Sequence, residues 1–149
     1  MLLFTDGSMH PPSRTGYGAY LAVDDPAAEC DVQIKKFENT SSSQLEIETL
    51  IWALQTLRPH AVTIYTDSQT IIGLPRRRAR FEARNYLTAQ NKPIRHAALY
   101  RSFFRLTDQI DGTFVKVKGH RVSNQKTETD RLFTRVDRAS RQALRDHIR

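Results

Sequence analysis

One cysteine is present among the 149 residues. Cys30 therefore has no partner within the chain, which excludes an intramolecular disulfide framework and fits a reducing cytoplasm. No apolar run approaches the roughly 20 residues that cross a bilayer, so no membrane association is expected. The opening apolar stretch, residues 1–4, runs into Asp6 too soon to read as a signal peptide. Internal repeats and low-complexity tracts are missing too. The remaining expectation is a single domain over residues 1–149, long enough to bury a sizeable core.

Positive charge is scarce in the first half. Residues 1–69 hold four Lys/Arg against nine Asp/Glu, a net of −5, and residues 70–149 hold nineteen against seven, a net of +12; together they make the overall +7. An acidic cluster beside a basic surface suits a metal-dependent enzyme that acts on a polyphosphate. Solvated basic helices would give the same count, so charge alone does not decide.

Five stretches read as strands: residues 1–5, 16–23, 31–37, 61–66 and 113–118. Short loops with Pro, Gly and Asp join the first three, which predicts an antiparallel meander. Helical patterns cover residues 43–58, a region within 69–89, 95–110 and 127–147, with Pro59, Pro75 and Pro93 as punctuation. Strands followed by strand–helix–strand crossovers imply a mixed α/β sheet with helices packed on it.

The helical stretch TSSSQLEIETLIWAL, residues 40–54, holds two glutamates. At about 100° per residue, Glu46 shares its azimuth with Leu50, Ala53 and Leu57 at the border of the apolar arc, whereas Glu48 points roughly opposite. Ser43 three residues before Glu46 also fits a capping box. A carboxylate at a core border needs a cation or donors to offset its desolvation. Asp6 in LLFTDGS and Asp67 in VTIYTDS each follow an apolar strand, at the sheet edge where α/β folds bind ligands. A turn-forming role explains either aspartate. It does not explain both together with a border glutamate on the intervening helix. If the two strands are neighbours, three carboxylates converge, and divalent cations relieve their repulsion.

In this order, FTDGS, SSQLEIETLIWAL, IYTDSQ and VKGH, with an aspartate ten residues after the histidine, resemble type 1 ribonuclease H. GYGA at 16–19 and NKPIRHAALYRSFFRL at 91–106 extend the resemblance over nearly the whole chain. It implies a ribonuclease H-like five-stranded mixed sheet in the order 3-2-1-4-5, flanked by helices. It also implies cleavage of the RNA strand of RNA–DNA hybrids by a two-metal mechanism, with 5′-phosphate and 3′-hydroxyl products. Two Mg²⁺ would bind when substrate is present, with Mn²⁺ as a substitute. Asp6, Glu46, Asp67 and Asp130 match the metal-binding carboxylates and His120 the loop histidine. Glu128 and Asp137 lie near Asp130 on the same helix; their ordinary roles are helix-dipole complementation and a surface ion pair.

Gln69 matches a groove-contacting position, Ser42 and Ser43, expected to contact the hybrid as well, stand where many relatives carry asparagine, and Arg76, Arg77, Arg78 and Arg80 in PRRRARFEAR resemble a basic protrusion that grips the DNA strand. The loop at residues 8–16, SMHPPSRTG, lacks the family's Gly/Asn-rich form, and Gln44 replaces a common arginine. The expected partner is a hybrid duplex bound by a monomer. Two rival readings are a catalytically weak hybrid-binding module and a related DNA nuclease or resolvase of the same fold.

Overall fold

The computed structural model describes residues 1–28, 30–118 and 127–148. Five strands form one sheet: β1 (Leu2–His10), β2 (Thr15–Val23), β3 (Gln33–Phe37), β4 (Ala61–Thr66) and β5 (Asp111–Lys116). Their order is β3-β2-β1-β4-β5, as the resemblance implied. β1 runs antiparallel to β2, β2 antiparallel to β3, and β4 lies parallel to both β1 and β5. Among the described residues four helices flank the sheet: α1 (Ser42–Leu57), α2 (Gln69–Ala83), α3 (Ala97–Asp108) and α4 (Glu128–Ile148).

Alternation along β1 sorts the molecule into two cores. Leu3 points into a cluster with Ile47, Leu50, Ile64, Ile71 and Phe103 beneath α1, α2 and α3. Its neighbour Phe4 points the other way, into a cluster with Leu21, Leu132, Phe133 and Val136 beneath α4. The same two-residue period sends Asp6 to the α4 side. The sheet is thus covered on both faces, and its central strand carries an acid towards α4.

Two local features set α1 in place. Ser41 caps it by accepting from the Gln44 amide, and Arg58 closes it in the left-handed region, φ 46°, its amide donating to the Leu54 carbonyl before Pro59. Glu46 therefore sits a turn beyond the cap, and the box expected from Ser43 does not form. Across the helix, a Cβ added to Gly18 would run into the buried Thr49 side chain, and one on Gly7 would meet Leu45 Cδ2 at 2.9 Å. Missing side chains on the hairpin let α1 lie flush against it.

Boundaries differ from the sequence pattern where turn-forming residues continue a strand. β1 runs through Asp6-Gly7-Ser8 to His10 because it stays paired with β2, Gly7 opposite Gly18. β5 includes Asp111 and Gly112 for the same reason, being in register with Ala61 and Val62 of β4. Pro75, expected as punctuation, lies inside α2 on its exposed side.

Candidate active site

The pairing between β1 and β4 stops at Phe4 and Tyr65. Two residues further on, Asp6 and Asp67 come level where the strands part. Asp6 lies within its strand rather than at its end, yet it occupies the end of the parallel pairing, which is where the cleft opens. Glu46 enters from α1. Asp137 enters from α4. These four acids line one hollow of about 230 Å³ together with Ser8, Ser42 and Arg141.

The electrostatics follow from crowding. Burial raises the Asp6 carboxyl from 3.8 to about 8, helped by a hydrogen bond with Asp137 and by the Asp67 charge. A hydrogen bond between two carboxyl groups needs a proton on one of them. Burial likewise raises Glu46, opposed by the Ser68 hydroxyl and reinforced by the Asp67 charge. Asp67 is raised by burial and by the Asp137 charge, against the lowering effects of Arg141 and Lys116. Asp67 stands at the solvent rim, so screening weakens its share.

Glu46 is held by a neighbour that also caps a helix. Ser68 Oγ donates to Glu46 Oε2 at 2.5 Å and accepts from the Ile71 amide at 3.1 Å. Ser68 is 3% exposed, so this hydroxyl is fixed by packing as well. Glu48 turns away from the cleft and accepts from the fully buried Thr40 hydroxyl at 2.6 Å. Of the two glutamates, Glu46 is the one at the cleft.

The structure places Asp130, which the resemblance implied as the fourth acid, apart from the other three. Asp130 lies in a separate hollow of about 250 Å³ beside Tyr65, Lys116, Lys118 and Thr127. Its Oδ2 accepts from the Thr127 amide at 3.1 Å, and its own amide donates to Thr127 Oγ1 at 3.2 Å. That reciprocal pair is a capping box at the start of α4. Asp137 sits two turns further along the same face, level with Asp6, and accepts from Arg141 Nε at 2.9 Å. A signal was present in the sequence: Asp137 falls within the span of the buried residues Leu132, Phe133, Val136 and Ser140, whereas Asp130 precedes it. His120 lies outside the described residues.

The expected nucleic-acid contacts divide. Ser42 is the first residue of α1 and lines the cleft, its hydroxyl 3.8 Å from Met9 Sδ. Ser43 and Gln69 are exposed at the starts of α1 and α2. Arg76, Arg77 and Arg80 are exposed on α2, with Arg77 stacked 5.1 Å over the Phe81 ring. Arg78 is different. It forks onto Asp108 of α3 at 2.6 and 2.7 Å, bonds Glu82 at 2.8 Å and stacks 4.9 Å over Phe104. That guanidinium is spent on linking α2 to α3, and residues 75–83 lie within α2.

Among the described residues, no three carboxylates close into a tight metal cage. Four acids around an open, solvent-reached hollow nevertheless suit hard divalent cations, which take a few carboxylate oxygens and keep several waters. Burial is the main cause of the raised Asp6 carboxyl, and the neighbouring Asp137 and Asp67 add to it.

The model of the RNase H family matches residues 1–142, so this chain belongs to the RNase H family, a family of ribonuclease enzymes. A ribonuclease H from Cupriavidus pinatubonensis is 30% identical over 138 residues, covering 91% of this chain and 93% of that protein. A ribonuclease HI from Vibrio parahaemolyticus is 31% identical over 133 residues, covering 87% and 84%. The solution structure of the PFV RNase H domain superposes with a TM-score of 0.70 at 18% identity, covering 95% of this chain and 92% of that one. At that identity the likeness is one of fold.

Proposed function

We propose that this protein hydrolyses the RNA strand of RNA–DNA hybrids with two divalent ions, Mg²⁺ or Mn²⁺, leaving 5′-phosphate and 3′-hydroxyl ends. The observation that carries the reading is the convergence of Asp6, Glu46, Asp67 and Asp137, from four separate elements, on one open hollow. Asp6, more deeply buried than Glu46 and Asp67, would hold the ions together with Glu46, Asp67 and Asp137. Bound ions would supply an acidified water and neutralise charge at the scissile phosphate.

The chain's own groups do the rest. Ser68 holds the Glu46 carboxylate at one orientation, and Arg141 does so for Asp137. Ser42, Ser43 and Gln69 at the rim would read 2′-hydroxyls in the wide minor groove of the hybrid. Arg76, Arg77 and Arg80 would hold the DNA strand through its phosphates. His120 would relay a proton to the departing oxygen. No helix among the described residues is long and apolar enough to cross a membrane, and a monomer working in the cytoplasm fits the single cysteine.

The test is incubation of purified protein with a labelled hybrid, with and without Mg²⁺ and Mn²⁺. RNA-strand cleavage only with metal is expected. A folded protein that leaves RNA intact at every metal level, or that cuts a DNA duplex equally well, overturns the reading.

A further inference from the structure

The cleft uses one flank of α4, and the helix's solvent side is lined with arginine. Arg131, Arg135, Arg138, Arg141 and Arg145 follow at intervals of 4, 3, 3 and 4 residues, and all are exposed. Those intervals place all five within about a third of the helix circumference, over roughly 21 Å of its length. Among the described residues only Arg141 has a carboxylate partner, Asp137. Arg135 donates to the Cys30 carbonyl at 2.6 Å and Arg145 to the Gln142 side-chain oxygen at 2.8 Å, and neither contact cancels charge.

An unrelieved row of like charges three and four apart destabilises a helix. The contrast with α2 is direct, because there Arg78 is neutralised by Asp108 and Glu82. The stripe also leads somewhere. A broad hollow of about 700 Å³ along Arg135, Arg138 and Arg145 shares both Asp137 and Arg141 with the carboxylate cleft.

We propose that the α4 arginine stripe is a second phosphate-backbone track, continuous with the cleft through Arg141, that holds the nucleic-acid strand beyond the cleavage point. This rests on the hybrid-cleaving reading above. One strand carries a phosphate about every 3.4 Å of axis, so 21 Å accommodates about six nucleotides. Guanidinium forks bind phosphate oxygens in pairs without consulting the bases. The track therefore extends the footprint and adds affinity that is independent of sequence. An acidic protein segment would meet the same charges, but it would have no reason to continue into the cleft.

The experiment replaces Arg131, Arg135, Arg138 and Arg145 by glutamine, which keeps helix propensity, and leaves Arg141 intact. Thermal melting and circular dichroism confirm folding. Fluorescence anisotropy then measures binding to a hybrid of about 8 base pairs, filling the cleft alone, and to one of about 24, each across a salt series. The expected result is a tenfold or greater loss of affinity for the long hybrid, with a salt slope flatter by about three units for four lost contacts. Affinity for the short hybrid should stay within twofold. A charge-matched control with glutamine at Lys35, Lys36, Arg58 and Arg105 should leave both unchanged.

Unchanged affinity for the long hybrid returns the stripe to a solvated face. Equal losses on both lengths, or the same loss in the control, reduce it to general electrostatics. Either result overturns the track. If the wild type binds but cuts neither hybrid, the functional reading fails, while the anisotropy comparison still decides the track.

Discussion

Asp137 shares one hollow with Asp6 between α4 and the central strand and helps raise its carboxyl, although Asp130 occupies the same helical azimuth two turns earlier. Seven residues advance an α-helix by about 10.5 Å and almost no rotation. Depth along the helix, not facing, brings Asp137 rather than Asp130 to the cleft. Asp137→Asn should therefore lower kcat by a hundredfold or more. Asp130→Asn should keep most activity and lose about 1 kcal/mol or less of capping stability. Steady-state kinetics on a hybrid, beside thermal melts, separates the two; a dead Asp130→Asn with an active Asp137→Asn would falsify the placement.

The Asp6 carboxyl, raised from 3.8 to about 8 mainly by burial, makes stability depend on pH. Well below 3.8 it is protonated in both folded and unfolded chains, and the shift has no effect. As pH rises towards 8 the unfolded chain loses this proton while the folded chain keeps it, so stability falls across that window and levels off above it. An asparagine side chain at this position cannot ionise. Without metal, Asp6→Asn should match the wild-type melting temperature near pH 4 and exceed it by several degrees at pH 8 to 9. Saturating Mg²⁺ should raise the wild type and not the variant. A difference that stays constant with pH would remove Asp6 as the strained acid.

Ser68 ties two structures with one hydroxyl, so its removal should show in two readouts. Ser68→Ala should cost about 1 kcal/mol through the lost cap on α2. It should also raise the Mg²⁺ concentration needed for half-maximal rate by several-fold, because Glu46 loses its orienting donor. Ser68→Thr keeps the hydroxyl and should recover both. Lost stability with an unchanged metal requirement would make Ser68 a cap alone.

Much of this arrangement was legible in the sequence. The Glu46 choice came from helical period, since its azimuth follows the apolar arc that packs on the sheet, and the structure puts that residue at the cleft. The helical period shows Glu48 only pointing away; its bond to Thr40, eight residues earlier and outside the helix, leaves no trace in periodicity. The β1 boundary was misplaced because Asp-Gly-Ser is turn chemistry locally, and only pairing to β2 overrides it. Asp130 is implied by the resemblance and favoured by its distance from His120 along the chain, and neither measures depth along a folded helix, where Asp137 and not Asp130 lines the cleft. Arg78 looked like its neighbours because its partner Asp108 is thirty residues away.

Glu46→Gln should abolish turnover, by a hundredfold or more, while hybrid binding persists. Glu48→Gln should stay within a few-fold of wild type, since glutamine's carbonyl still accepts from Thr40. Side-by-side single-turnover rates decide it, and an active Glu46→Gln with a dead Glu48→Gln reverses the assignment of the helix face.

The arginines of α2 should part into two classes. Arg76, Arg77 and Arg80 are exposed and have no carboxylate partner among the described residues, so a phosphate contact at each should leave a mark on salt dependence. Replacing these three with alanine should raise KM several-fold, change kcat little and flatten the salt slope by about two to three units. Arg78 bridges Asp108 and Glu82 and covers Phe104. Its alanine variant should lower the melting temperature by a few degrees, since exposed ion pairs contribute about 1 kcal/mol or less and the lost stacking adds to that. Its KM and salt slope should stay near wild type. The comparison holds substrate and salt range fixed and reads both quantities for both variants. If the triple variant keeps its salt slope while Arg78→Ala loses its own, the phosphate contact runs through the one arginine that the structure assigns to holding α2 against α3, and the division is wrong.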